Sequence, residues 1–188
     1  MADLITIDEV KAYLNISSGN QDDMFNLLIP KISEYVKTYC GRTLIDYFNT
    51  IKEEIYNGGM PNIYVEEVPI RDVLLLSYSS DYGQTYTDLV PFTDYYFDKE
   101  NDCIAPINAC QFPKSPNGYK VNYRGGYPNV PEDLKLAVMD LVSYYMKSDM
   151  AVKSTRAAGS NTTQIEYVMN ATLPSHIRRV LDQYRLIL

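Results

Sequence analysis

The sequence predicts an α+β fold, mainly a helical bundle with a small antiparallel β region inserted into it. Three observations carry this. Helical periodicity fills the early part of the chain and returns near residue 131. Between the two lie short β-branched and aromatic runs, punctuated by Pro, Gly, Asn and Asp. No internal repeat breaks the order helices, strands, helices, which is an α+β arrangement. The 188 residues, 46% of them hydrophobic, suit one globular domain. Within it the sequence divides into N-terminal helices over 1–60, a β insertion over 61–124, a long helix over 131–150, a mobile loop or arm over 151–173 and a terminal helix over 174–188.

The first element starts with a capping box in "ITIDEVKAYLNIS": Thr6 caps and Glu9 reaches back, with Ile5 and Val10 at the positions of a hydrophobic staple. Val10, Tyr13 and Leu14 then share one helical face. In "DDMFNLLIPKISEYVKTYCGRTL" the apolar residues Phe25, Leu28, Ile29, Ile32, Val36, Tyr39 and Cys40 recur at helical spacing. Asp22 and Asp23 suit the N-terminal turn, and Gly41 suits a left-handed cap. Pro30 removes one hydrogen bond, which predicts a kinked helix rather than one that begins at Pro30, because the apolar stripe continues through it. "LIDYFNTIKEEIY" reads as a short helix ended by Gly58, Gly59 and Pro61.

Six runs read as strands: "NIYVEEV", "DVLLLSYS", "TYTDLV", "DYYFD", "CIAPI" and "YKVNY". "SSDYGQ" reads as a hairpin turn with Gly83 free to take positive φ. The next helix is "PEDLKLAVMDLVSYYMKSD", its buried face made of Leu134, Ala137, Val138, Leu141, Val142 and Tyr145. The last, "LPSHIRRVLDQYRLIL", carries an apolar stripe of Ile177, Val180, Leu181, Tyr184 and Leu188 beside Arg178, Arg179 and Arg185.

Charge narrows the function classes. Up to Cys110 the chain has 18 acidic and 7 basic residues, a balance of −11; from Gln111 on it has 6 and 10, or +4, giving the formal −7 of the whole. A protein that wraps DNA tightly needs a broad basic footprint, and only the C-terminal part offers any. The 18 Tyr beside 5 Phe and no Trp suit surfaces buried on assembly, and equally a tyrosine-rich strand region. Cys40, Cys103 and Cys110 form no C-x-x-C pair; their odd number and an acidic N-terminus without a targeting pattern predict reduced thiols in a cytosolic setting. No apolar run reaches membrane-spanning length.

The stretch "YRGGYPNVPEDL" invites a phosphate-loop reading, which fails chemically. Pro131 has no N–H to offer, Glu132 and Asp133 place two carboxylates in the first helical turn, and neither Gly-Lys-Ser/Thr nor G-x-G-x-x-G is present. The stretch reads instead as a joint between a strand and a helix. His176 is the single histidine, and its place in the first turn of the terminal helix predicts a solvated side chain. One His and three scattered Cys do not make a zinc set. Glu53–Glu54 and Glu66–Glu67 are neighbours in sequence, which predicts solvated surface, with a dispersed carboxylate pair brought together by folding as the alternative. No catalytic, cofactor or metal residue is assigned.

In their order, "ITIDEVKAYLNI", "DDMFNLLIPKISEYVKTYCGRTL", "VNYRGGYPNVPEDLKLAVMDLVSYYM" and "LPSHIRRVLDQYRL" resemble the head–tail connector proteins of tailed bacteriophages, also called head-completion adaptors. The resemblance implies a non-enzymatic virion protein of the neck, made and assembled in the host cytoplasm. It implies a ring of identical subunits, twelve in number, below the portal protein, extending the channel through which double-stranded DNA passes and receiving the next neck or tail-completion protein. It assigns portal docking to the terminal segment 176–188, hence to Ile177, Arg178, Arg179, Val180, Leu181, Tyr184, Arg185 and Leu188. Pro30 and the length of 42–59 depart from the family pattern. Another neck or tail-completion protein, a small enzyme with a dispersed carboxylate site, and a nucleic-acid module using the C-terminal arginines are the competing readings.

Overall fold

The computed structural model describes residues 2–107, 109–147, 152–156, 163–167 and 173–186, and it divides into two compact units. The first consists of Asp3–Tyr39 and Glu132–Tyr184, the second mainly of Cys40–Pro131.

The first unit holds the helices. α1 (Ile7–Leu14) begins at the expected capping box, with Glu9 N donating to Thr6 Oγ1 at 3.3 Å and Thr6 N to Glu9 Oε2 at 2.8 Å. α2 (Asp22–Cys40) runs without a break through Pro30, so the stripe and not the proline sets its extent. Its buried face is Phe25, Ile29, Ile32 and Val36. α3 (Glu132–Lys147) buries Leu134, Ala137, Val138, Leu141 and Val142; Tyr145, expected with them, is 45% exposed. α4 (Ser175–Gln183) packs on α3 and buries Ile177 and Leu181. Polar ties fix the pairs: Tyr13 donates to Asp140 Oδ1 at 2.5 Å and Lys135 to Glu9 Oε1 at 2.9 Å, linking α1 to α3.

The second unit is built from sheets. One has the order β1-β7-β3-β4, with β1 Lys52–Tyr56, β3 Ile70–Tyr78, β4 Thr87–Asp88 and β7 Tyr119–Gly125, all pairings antiparallel. The other has the order β2-β6-β5, with β2 Ile63–Tyr64, β5 Tyr95–Asp98 and β6 Cys103–Pro106. The central strand β7 alternates strictly, burying Tyr119, Val121, Tyr123 and Gly125. Around it close Ile63, Val65, Ile70, Leu76, Tyr95, Ile104 and Phe112. All six strands expected from sequence are present in this unit. Of residues 151–173, expected as a mobile loop or arm, those described include β8 (Val152–Arg156) and β9 (Thr163–Tyr167), which pair antiparallel; the rest of that expectation lies outside the described residues.

The expectation of a mainly helical bundle is therefore corrected: the chain is a β-rich α+β fold, with the larger unit held by sheets and four helices among the described residues. One misread segment explains much of this. Residues 52–56 were expected as helix and form edge strand β1, paired from Lys52↔Tyr123 to Tyr56↔Tyr119. Lys52, Glu54 and Tyr56 turn inward with period two, and their charges hid that alternation from a count of apolar residues.

The glycines of "YRGGYP" owe their place to crowding. A Cβ on Gly125 would lie 2.0 Å from the Glu67 carbonyl oxygen, and one on Gly126, at φ +94°, 2.3 Å from that of Leu44. Gly126 N donates to Pro69 O and Tyr127 N to Leu44 O, at 2.9 and 2.7 Å. The joint thus ties β7 to the 42–48 loop through backbone contacts that no side chain can enter. Gly126→Ala is expected to destabilise the protein by about 3 kcal/mol or more, since it adds a clash to a left-handed backbone. Gly19→Ala, whose Cβ meets only Asp22 at 3.5 Å, is the near-neutral control. Urea unfolding of the two variants beside the parent checks this, and equal midpoints would refute it.

Candidate docking interface

Of the eight residues expected to dock, seven lie within the described residues, and the structure sorts them by burial. Leu188 lies outside the described residues. Ile177 and Leu181 face the core of their own unit, at 1% and 0% exposure. Val180 and Tyr184 are half-buried, and Tyr184 donates to Asp133 Oδ1 at 2.6 Å. Arg178, Arg179 and Arg185 are exposed. The Arg178 guanidinium stands 3.8 Å from Asp182, which also accepts from Tyr39 at 2.6 Å. The surface of α4 open to solvent is therefore its charged side, not its apolar stripe. Burying Ile177 and Leu181 stabilises this unit by roughly 1.5–3 kcal/mol each. His176 is 68% exposed, as expected, with Nε2 3.9 Å from Asp140.

The tyrosines divide between the two readings left open above. Tyr95, Tyr119 and Tyr123 are core residues, while Tyr64 and Tyr82 are 50% and 70% exposed.

The carboxylates reverse one expectation. Glu67, expected on the surface, is fully buried, and Glu54 nearly so. Lys52 Nζ lies 2.8 Å from Glu54 and from Glu66, and 3.4 Å from Glu67. Glu67 also accepts from the backbone N–H groups of Thr43 and Leu44, at 2.8 and 3.1 Å. Tyr123 donates to Glu54 Oε1 at 2.7 Å and accepts from Glu67 N at 3.0 Å, and Tyr56 donates to the other Glu54 oxygen. Arg42 reaches Val68 O at 2.6 Å. Sequence reading missed this cluster because adjacent glutamates look alike. The signal available was the alternation of Glu54 with Lys52 and Tyr56 around an inward-facing strand side.

The cluster brings carboxylates together, but its electrostatics are those of a structural ion network. Burial acts to raise the Glu54 pKa; hydrogen bonds from Lys52, Tyr56 and Tyr123 outweigh it and hold the carboxyl below its ordinary value. Burial likewise opposes the Lys52 ammonium, yet Glu54 and Glu66 raise its pKa. Burial and the Glu54 carboxylate both push the Tyr56 and Tyr123 hydroxyls upward. A general acid at neutral pH needs the opposite, a carboxyl raised toward 7. Among the described residues no group of three or more His, Cys, Asp or Glu could hold a metal ion, and no helix is long and apolar enough to cross a membrane.

The sequence profile of the family described as head completion protein matches residues 3–187. The chain belongs to the head completion protein family. A head completion protein of Escherichia phage T5 is 38% identical over 72 residues, covering 37% of this chain and 41% of that protein, so the chain aligns with less than half of that relative's length. A chain in the neck of the empty gene transfer agent particle, in C6 symmetry, matches with a TM-score of 0.58 at 14% identity, covering 98% of this chain and 91% of that one. One in the native particle's neck, in C12 symmetry, gives 0.54 at 14% over 100% and 95%. A chain of the native virion gives 0.61 at 15% over 98% and 91%. At such identities the likeness speaks for a shared fold, and the family resemblance read from the sequence holds.

Glu54 also sets a pH dependence. Its folded pKa lies below its ordinary value of 4.5, so the stability it contributes is complete above pH 4.5 and is lost as pH falls through the folded pKa. Thermal melts from pH 7 to pH 3 should show the parent losing Tm below about 4.5, with Glu54→Gln starting lower and falling less steeply across that window. A variant whose Tm falls in parallel with the parent would remove Glu54 from the account.

Proposed function

We propose that this head completion protein is a structural subunit of the head–tail neck that forms a ring with copies of itself below the portal. The observation that carries the reading is the family match over residues 3–187, supported by a fold shared with neck chains along nearly the whole sequence. The ring extends the DNA channel and presents a surface to the next neck or tail-completion protein. Twelve copies and assembly in the host cytoplasm belong to the same proposal. The protein acts without catalysis: its perturbed carboxylate sits in an ion network that leaves it with no proton to donate at neutral pH.

Portal docking falls to the terminal segment. Because Ile177 and Leu181 are buried in their own unit, the contact is made by the charged side of α4, with Arg178 and Arg179 against acidic groups of the portal. Deleting the segment would open a core, so charge reversal is the cleaner probe. Arg178→Glu with Arg179→Glu should leave stability within about 0.5 kcal/mol, as exposed substitutions do. It should lower attachment to portal-bearing capsids by tenfold or more in a pull-down. Undiminished attachment would refute the assignment.

DNA passes through without being gripped, since 24 acidic against 17 basic residues leave no cationic excess for phosphate contact. Fluorescence anisotropy of duplex DNA with the purified chain should show weak binding at low salt that fades steeply as salt rises. Specific DNA binders reach roughly 10⁻⁸ M or tighter at physiological salt. Affinity of that order here would favour a nucleic-acid module instead.

A further inference from the structure

β8 and β9 form a two-stranded sheet of their own, paired from Val152↔Tyr167 to Arg156↔Thr163. Among the described residues no third strand joins either of them. Each therefore keeps one row of backbone N–H and C=O groups without a strand partner. Neither VKSTR nor TQIEY contains Pro or Gly, so no donor is missing from either row. Val152, Thr155, Thr163, Ile165 and Tyr167 all favour extended backbone. An open row of this kind is a template for a strand of another chain, and two strands alone are marginally stable in water.

The charges of the two strands select the neighbour. Lys153, Arg156 and Glu166 are the only charged residues of 151–173. Both cations lie in β8 and the anion lies in β9. The register within one chain already sets Lys153 opposite Glu166. Between two copies, β8 beside β8 would set cations against cations, and β9 beside β9 would set Glu166 against Glu166. Like charges across a strand pair are destabilising and opposite charges are stabilising. β8 of one copy beside β9 of the next is the pairing that brings opposite charges together. It uses two different edges, so it is a heterologous contact, the kind that closes into a ring when its rotation allows.

Ring geometry agrees. Copies related by rotation hold their β8 strands parallel to one another, so β9 of one copy runs antiparallel to β8 of the next, as it does to its own. The register places Lys153, Thr155, Gln164 and Glu166 on one face of the ribbon, and rotation keeps that face on the same side in every copy. Lys153 and Glu166 would then alternate around the ring. Strands lie about 4.8 Å apart, so ribbons from the twelve copies proposed above would close a sheet roughly 37 Å across. Six copies would give roughly 18 Å, too little for a DNA duplex once side chains fill part of it. Tilting the strands widens either ring somewhat, and closure removes every open edge.

We infer that β8 of each copy pairs antiparallel with β9 of the next, so that the ribbons of the ring join into one closed sheet around the DNA channel. This rests on the neck reading proposed above and names a subunit contact which that reading leaves open.

Cross-linking in assembled particles tests it. One chain carries Thr155→Cys in β8 and another carries Gln164→Cys in β9, both in a Cys110→Ser background that removes the exposed native thiol. Because no chain carries both, a link between the two positions is a link between copies. Particles assembled from an equal mixture and treated with a short bismaleimide should yield covalent dimers. The yield should be at least tenfold above that from particles built of either variant alone. Ser154→Cys mixed with Ile165→Cys repeats the measurement if the first pair is poorly incorporated. Particles that contain both chains but yield only monomer would overturn the contact. So would dimers from one variant alone, which mean that like edges meet, or a link to a different virion protein, which means that another chain supplies the strand. Each of these leaves the neck reading intact. A chain missing from the particles even without substitutions would instead sink the neck reading itself.

Discussion

The structure of the β-rich unit depends on one buried carboxylate. Glu67 is taken wholly out of water and satisfied by Lys52 and by two backbone N–H groups, those of Thr43 and Leu44. An unpaired carboxylate there would be prohibitively unfavourable, so the loop that supplies those amides must lie where it does. Once it does, the Leu44 carbonyl receives Tyr127 N and crowds Gly126, and the Glu67 carbonyl crowds Gly125. The loop, strand β1 through Lys52, and the end of β7 through Tyr123 are thus fixed by overlapping requirements. The 42–59 segment is the part of the chain that this carboxylate organises.

Much of the fold was legible in the sequence wherever a local rule acts alone. The capping box at Thr6 and Glu9 formed as read, as did the left-handed Gly41 and Gly83 and the six strands between residues 62 and 123. Reading failed where partners distant in sequence decide. Strand β1 pairs with residues nearly seventy positions away, and its inward residues are charged, so no apolar alternation betrayed it. Glu66 and Glu67 are identical side chains with opposite fates, one at the rim of the cluster and one in its centre. Tyr145 continued the helical stripe of α3 on paper and yet lies exposed. The terminal helix was legible as amphipathic, but periodicity could not say whether its apolar face is spent at home or kept for a partner. Burial of Ile177 and Leu181 answers that for this structure.

The role proposed above asks for rigidity where neighbours meet and indifference to what passes through, and both properties would have physical sources in this chain. Tyr82 and Phe92, both exposed, stand on turns whose backbone amides are already bound by Asp81 and Asp94, so little ordering of those turns remains to be done. The acidic balance of the first 110 residues works against retention of a polyanion. The ionisable groups that folding gathers around Glu67 hold the 42–48 loop in place.

The first unit is assembled from two segments that the chain supplies at different times. Asp3–Tyr39 leaves the ribosome about ninety residues before Glu132–Tyr184 begins to follow. At roughly 5–20 residues per second, the apolar stripe of α2 stays uncovered for about 5–20 s of each synthesis. During that interval Phe25, Ile29, Ile32 and Val36 have no α3 or α4 to cover them, and α1 alone is too short to do so. The intervening segment can complete its sheets in the meantime, since its pairings are all internal to it. Nascent chains are accordingly most vulnerable to aggregation and to holdase capture in the stretch of translation between Tyr39 and Glu132, before the last helices arrive.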